Sequence, residues 1–417
     1  PMALSDEHAA AEIKPMRTDD DQLIEAIPKQ KLARYRKFAF RVFLILAPVH
    51  LYVGWRLLPD LPVDAPVRLL GGGVLAASAA VIPYGTLARV FVRNLTLVDI
   101  LTWAGSLAMG WFSSLFILTL IRDAASLVPG VRAWSVETAT LVLAMSLAMT
   151  LIGFFNARRL ANVVHVDIPL DNLPPGLDGF TIAQITDIHV GSTIKGDYVR
   201  GIVARVNALN PDMIAITGDV VDGSVRQLAK ETAPLARLTA RHGAYVVTGN
   251  HEYYSGADEW MAEFRRLGLR TLMNQHVVID HDGAKLVVAG VNDFSAGGAG
   301  QDFSAGGTGP ALGSDPEAAL SGSPGDVPKI LLAHQPRSAP AAEAAGFDLQ
   351  LSGHTHGGQF WPWNYFVRMQ QPYTAGLHRL KRLWVYTSRG TGYWGPPKRF
   401  GAPSEITLIR LSTAAVI

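Results

Sequence analysis

The sequence predicts an α/β domain of central β-sheets flanked by helices, preceded by an all-α region of four transmembrane helices. Residues up to about 160 hold long apolar runs nearly free of charge, while the rest alternates short apolar runs with clusters of Gly, Asp, His and Asn. In that second part strand-like runs alternate with helical patterns, as in a sheet-centred domain. The chain has 417 residues, too many for one core at roughly 100 to 200 residues per domain, so a division is expected.

The polar stretch 1–37 is expected to be a flexible tail. Four windows of spanning length follow within 38–160: 38–58, 69–87, 100–121 and 138–157. The second and third carry no charge, and a soluble helix of that length needs a polar face. The first has Arg41 and Arg56 near its ends, where long side chains reach the interface. Lys29, Lys31, Arg34, Arg36, Lys37, Arg89, Arg93, Arg158 and Arg159 fall on one side of the spans; Arg56, Arg68, Arg122 and Arg132 fall on the other. That bias predicts a multi-pass protein of the inner (cytoplasmic) membrane whose tail and second domain face the cytoplasm. The spans hold no paired Asp, Glu or Lys of the kind that marks an ion path, so anchoring in the lipid bilayer is expected rather than transport.

The second domain, 161–417, should place strands at 181–186, 213–217, 244–248, 285–291, 330–333, 349–351, 383–387 and 406–410, with helices at 197–209 and 225–239. Residues 293–328 contain a near-perfect repeat, DFSAGGAG then DFSAGGTG, in a Gly-rich stretch that reads as a flexible loop; its place after a core strand leaves a lid open as an alternative. A formal net charge of +2 with dispersed basic residues argues against a nucleic-acid partner. With no cysteine in the chain, disulfides and thiolate chemistry are excluded, and any metal must be held by His, Asp or Asn.

Polar clusters follow the β-rich runs: Asp187 and His189, Asp219 and Asp222, Asn250 with His251 and Glu252, His334, and His354 with His356. In an extended segment residues i and i+2 face one side, so each spaced pair can aim two ligands at one place. Glycines at 218, 249, 353, 357 and 358 allow sharp turns beside them. Taken singly, an Asp or His at a strand end is more often a turn residue or a satisfied polar group than a ligand. Glu252 is expected to serve the fold, and His50 and His165 to be ordinary.

The run D-x-H, GD-x-x-D, GNHE, a lone His and GHTHGG resembles the calcineurin-like metallophosphoesterases over about 170–406. The stretches ITDIHVG, ITGDVVDG, HTHGGQF and SRGTGYWGPPKRFGAPSEIT look like its membrane-associated YkuE/YaeI-like bacterial subgroup. The resemblance implies an α+β sandwich-type domain and two divalent metal ions, among Mn, Fe, Zn and Mg. It implies Asp187, His189 and His356 on the first metal, Asp219 bridging, and Asn250, His334 and His354 on the second. It further implies catalytic roles for His251 and for Asp222, which would orient it, in hydrolysis of a phosphodiester or pyrophosphate bond by a hydroxide activated between the metals.

The aromatic run 360–366 suits either a membrane interface or a core. Arg389, Lys398 and Arg399 are candidates for contact with phosphate or lipid headgroups, with Arg389 and Arg399 carried as substrate-binding residues. The expected substrate is a phosphorylated, lipid-linked small molecule such as a UDP-diacylglucosamine type. The alternatives are a phosphodiesterase or phosphomonoesterase acting on soluble substrates, and a non-catalytic membrane scaffold or sensor.

Overall fold

The structure, a computed structural model, describes residues 29–296 and 313–413. Four helices are long and apolar enough to cross a membrane. They lie in α1 (Lys29–Leu57), α2 (Ala65–Thr86), α4 (Leu95–Ala125) and α5 (Ser135–Arg158), with the short α3 (Ala88–Phe91) between the second and third. Each begins before its apolar window, and α1 begins well inside the stretch expected as a tail; residues 1–28 lie outside the described residues. Val53, Leu75, Ile82, Phe112, Leu115, Val142 and Met149 form the bundle core. The helices α2 and α4 touch through glycine, since a Cβ on Gly85 would lie 2.4 Å from the Leu101 carbonyl oxygen. At the end away from the second domain, Arg56 forms a two-pronged ion pair with Asp123 and Arg122 pairs with Asp60. His50 is ordinary, as expected: buried, stacked on Phe112 and hydrogen-bonded to Ser78 Oγ.

The second domain is two six-stranded sheets packed face to face. The first, in spatial order, joins β1 (Asn162–Leu170), β12 (Glu405–Thr413), β2 (Thr181–Ile185), β3 (Met213–Ile216), β4 (Ala244–Val246) and β5 (Arg270–Thr271). The second joins β10 (Gly376–Leu380), β11 (Leu383–Thr387), β9 (Leu349–Ser352), β8 (Lys329–Leu332), β7 (Ala284–Gly290) and β6 (Gln275–His281). Between them Ile182, Tyr245, Leu286, Val288, Ile330, Leu349 and Tyr386 make a buried core. The outer face of the first sheet is covered by α6 (Gly196–Asn207), α7 (Val225–Thr232) and α9 (Ala257–Arg266) through Val199, Ile202, Leu228, Trp260 and Phe264. The second sheet is covered by α10 (Pro316–Ala319) and α11 (Ala339–Ala345).

All eight strands read from the sequence are present to within a few residues. The four that escaped, β1, β5, β6 and β10, carry mixed or half-exposed faces that blur alternation. The helix expected over 225–239 stops at Thr232 and tightens into a 3-10 turn, Ala233–Arg237, because Pro234 cannot continue the ladder. Both ends of the expected flexible loop are ordered instead. Asp293 is buried and accepts from Gln335 Nε2 at 3.0 Å, and Asp315 caps α10 through Ala318 N at 2.9 Å. Most of the tandem repeat, residues 297–312, lies outside the described residues.

Candidate metal centre

β2, β3, β4, β8 and β9 run parallel to their motif-bearing neighbours within each sheet, so their carboxyl ends, and the loops that follow, collect at one edge of the sandwich. Open α/β sheets present ligands' sites there. Asp187, His189, Asp219, His354 and His356 all have φ between +50° and +69°, a region non-glycine residues enter only when neighbours fix them. The extended i, i+2 pairing expected for Asp187 with His189 and for His354 with His356 is therefore replaced by left-handed turns that re-aim each side chain. Glycine serves here through lack of volume: a Cβ on Gly249 would lie 2.1 Å from Asp219 Oδ1, and one on Gly353 2.2 Å from Asp187 Oδ2.

Two adjacent groups could each hold a cation: Asp187 with His189 and His356, and Asp219 with His334 and His354, the atoms of each group lying within 4.8 Å of one another. His356 Nε2 is 3.3 Å from Asp187 Oδ1 and 3.1 Å from His189 Nε2. His334 Nε2 is 3.1 Å from Asp219 Oδ2 and 3.2 Å from His354 Nδ1. Asp219 Oδ2 also lies 3.8 Å from His189 Nε2, so this one carboxylate faces both groups. Asn250, at the start of α8 (Asn250–Ser255), is buried beside them, and its Oδ1 has no hydrogen-bond partner. An orphaned buried amide oxygen among carboxylates and imidazoles fits a divalent cation.

The imidazoles are preset. His334 donates Nδ1–H to the Thr217 carbonyl at 2.8 Å and His189 Nδ1 is 2.8 Å from Asp222 Oδ1, leaving each Nε2 aimed inward. Burial works against charge on His334, but Asp219 and Asp187 hold its pKa well above the usual range. Burial, with Asp219 beside it, lifts Asp187, while His334 and His251 hold Asp219 well below the carboxylate range despite its burial. His354 is pushed down to about 3 by burial and the charge on His334. A cation held by the second group would take the place of the proton on His334 that faces Asp219. His356 is kept neutral by burial and then by Arg399, whose Nη2 is 3.0 Å from Nδ1. A guanidinium can only donate, so in this contact Nδ1 accepts and the neutral ring carries its proton on Nε2; a ring holding a cation through Nε2 would carry that proton on Nδ1 and be held by Arg399 through the His356 carbonyl.

His251 stands on the rim with Nδ1 2.7 Å from Asp222 Oδ1 and Nε2 4.0 Å from Asp219 Oδ2. Burial disfavours its charge, yet Asp219 and Asp222 outweigh that and raise its pKa to about 9. The expected link from Asp222 to His251 is present, and the same oxygen also holds His189. Glu252 accepts from the backbone N–H of Asp219 (2.9 Å), Val220 (2.8 Å), Val221 (3.3 Å) and Gly249 (2.6 Å), fixing two of the site's loops with one carboxylate.

The substrate contacts expected of Lys398 and Arg399 are corrected, while Arg389 keeps a partly exposed side chain. Arg399 is fully buried, donating to the carbonyls of His356, Arg389 and Gly392. Lys398 is likewise buried, inside the membrane bundle. Arg389 is committed to an ion pair with Glu405 at 2.9 Å. Sequence reasoning also missed Tyr254 and Trp394, half-exposed rings whose centroids lie 5.3 and 5.7 Å from that of His251. Trp394 sits inside a quoted motif stretch and Tyr254 two residues after GNHE, but only the fold brings residues 254 and 394 to one histidine.

The calcineurin-like phosphoesterase family model matches residues 180–358, which contain every one of these candidate ligands. A zebrafish (Danio rerio) transmembrane protein with metallophosphoesterase domain is 35% identical over 302 residues, 71% of this chain and 67% of that one. An uncharacterized metallophosphoesterase of Campylobacter jejuni is 33% identical over 335 residues, covering 77% and 84%. The YkuE metallophosphoesterase of Bacillus subtilis is 30% identical over 249 residues, covering 58% and 82%. Among solved structures, the NAD nucleotidase of Haemophilus influenzae aligns with TM-score 0.35 and 15% identity over 51% of this chain and 45% of that one, a loose likeness. With four apolar helices of membrane-spanning length ahead of the matched region, this is a membrane-associated hydrolase, and it belongs to the calcineurin-like metallophosphoesterase family, whose members use a dinuclear divalent-metal centre.

Proposed function

We propose that the protein hydrolyses a phosphodiester or pyrophosphate bond in a lipid-linked, membrane-derived substrate, such as a UDP-diacylglucosamine type, with its catalytic domain on the cytoplasmic face of the inner membrane. Asp187, His189 and His356 would hold one cation, Asn250, His334 and His354 the other, with Asp219 shared. Once bound, the cations supply Lewis acidity to the phosphoryl oxygens and to water. His251 would hold a proton on Nε2 for the leaving oxygen, and Asp222 fixes the ring from Nδ1. Tyr254 and Trp394 flank that proton and exclude water from the leaving-group side.

One observation favours a lipid over a soluble diester. Trp394 lines His251, while a Cβ on the next residue, Gly395, would rest 3.6 Å from Met109 Cε of the membrane helix α4. The residue next to Trp394 thus adjoins the membrane bundle, which supports a lipid reading. Alongside Trp394, α12 (Trp363–Phe366) is tied to α4 by Trp363 Nε1 donating to Ser113 Oγ at 2.9 Å; its Trp363, Tyr365 and Phe366, with Met369 in the turn that follows, are exposed as an apolar ridge suited to the bilayer. The lysines and arginines at 29–37, 89–93 and 158–159 lie at the end of the spans that meets the second domain, which supports a cytoplasmic site.

The test is turnover by the full chain in lipid nanodiscs, comparing a diacyl pyrophosphate-linked sugar with bis-p-nitrophenyl phosphate. The expected result is a higher kcat/KM for the lipid, with Trp394→Ala lowering only the lipid value. Turnover of the soluble diester without any lipid-linked ester would favour soluble substrates. No turnover of either, with cations bound, would favour a scaffold.

A further inference from the structure

Lys398 belongs to the second domain by sequence and to the membrane bundle by contact. It is 1% exposed, and its Nζ donates to the Gly110 carbonyl (2.8 Å), Ser114 Oγ (2.6 Å) and Thr150 Oγ1 (3.1 Å). Thr150 lies eight residues before the end of α5, about 12 Å along it, close to the half-thickness of a hydrocarbon core. A lysine at such depth is costly and is retained where it has a task. Its partners are neutral oxygens and the Phe360 ring, whose centroid lies 5.1 Å away, so no carboxylate repays its burial.

Arg399, the next residue, faces the other way. Its backbone N–H donates to the Gly153 carbonyl at 2.8 Å and its carbonyl accepts from Asn156 Nδ2 at 3.1 Å, both on α5. Its guanidinium grips the metal centre: Nη1 donates to the His356 carbonyl at 2.8 Å, and Nη2 is 3.0 Å from His356 Nδ1. Two successive side chains thus join the interior of the bundle to a proposed ligand. There is no slack at the seat. A Cβ on Gly153 would lie 2.6 Å from Lys398 Cγ, and one on Gly110 3.2 Å from Pro396 Cβ.

We infer that the membrane bundle is a working wall of the metal centre: Lys398 is a positioning residue that seats 396–400 between α4 and α5 so that Arg399 can fix His356. The inference rests on the assignment of His356 as a ligand. It implies that changes inside the bundle, remote in sequence from every ligand, weaken cation binding.

The experiment uses the full chain in detergent, stripped with chelator and titrated with Mn, for Lys398→Met, Gly153→Ala and the pair Ser114→Ala with Thr150→Val. Gly73→Ala is the control, since a Cβ there meets nothing within 4 Å. Metal-free thermal midpoints are recorded in parallel. The expected result is a loss of about tenfold or more in cation affinity for the first two variants, the scale of outer partners of metal ligands, with a smaller loss for the hydroxyl pair and none for Gly73→Ala. With bis-p-nitrophenyl phosphate, kcat should fall while KM holds. If the variants bind Mn as wild type does, even with lowered midpoints, Lys398 only glues the domains and the inference is overturned. The hydroxyl pair, nearly isosteric, carries the test if Lys398→Met does not fold. A wild type that binds no cation overturns the metal reading itself, and this inference with it.

Discussion

Glu252 should be worth more to stability than any ligand, because it touches no substrate and holds two loops. Glu252→Ala removes the acceptor of four backbone N–H groups, those of Asp219, Val220, Val221 and Gly249, at a fully buried position. Each buried donor left unpaired costs about 1–3 kcal/mol, so even the lower bound gives about 4 kcal/mol. Set against a typical domain stability of about 5–15 kcal/mol, that is a large fraction. At about 2–4 °C per kcal/mol for a domain of this size, the hydrolase transition should fall by roughly 8–16 °C. The assay is tryptophan-fluorescence melting of the metal-free full chain in detergent. Glu252→Gln, which keeps one acceptor oxygen, should fall between the two. A shift under about 3 °C for the alanine variant would show that water or loop movement satisfies those donors, and the account of how Asp219 is held would be wrong.

Asp222→Asn should reduce kcat by about 10 to 100-fold with near-normal metal content, since it loosens His251 and His189 without removing a ligand; steady-state kinetics beside metal analysis checks this. Gly249→Ala should abolish cation binding at Asp219, because the methyl group collides with that carboxylate; Mn titration reads it directly. Because a cation replaces the proton that Asp219 holds on His334, affinity should fall on acidification, about tenfold per pH unit for each proton displaced. Titrations at pH 7.5 and 6.0 would show it, and a flat response would mean that His334 binds no metal.

The strands that end in the motifs were legible because their apolar runs are short, continuous and bounded by Gly or Asp, and the motifs follow directly. The site's local geometry was not. Nothing in the sequence says that Asp187 and His189 meet through left-handed turns rather than by strand alternation, since φ is set by the packing of five loops against one another. Charge was the most misleading signal. Lys398 and Arg399 read as surface cations able to meet phosphate, yet both are buried: the partners of Lys398 are a carbonyl and hydroxyls more than 240 positions away, and those of Arg399 are carbonyls of nearby loops and the His356 ring 43 positions away. The aromatic run 360–366 was ambiguous between membrane and core for a physical reason: Trp361 packs on the bundle while Tyr365 and Phe366 face outward, so both readings describe part of it.

The central claim is that one shared carboxylate organises two cations for phosphoester hydrolysis. It is tested most directly by metal content and bis-p-nitrophenyl phosphate turnover of the purified full chain, for wild type, Asp219→Asn and His251→Ala. The account predicts about two divalent ions per chain and turnover for wild type, loss of both for Asp219→Asn, and retained metal with turnover lowered at least a hundredfold for His251→Ala. A wild type without metal whose turnover matches both variants would contradict it.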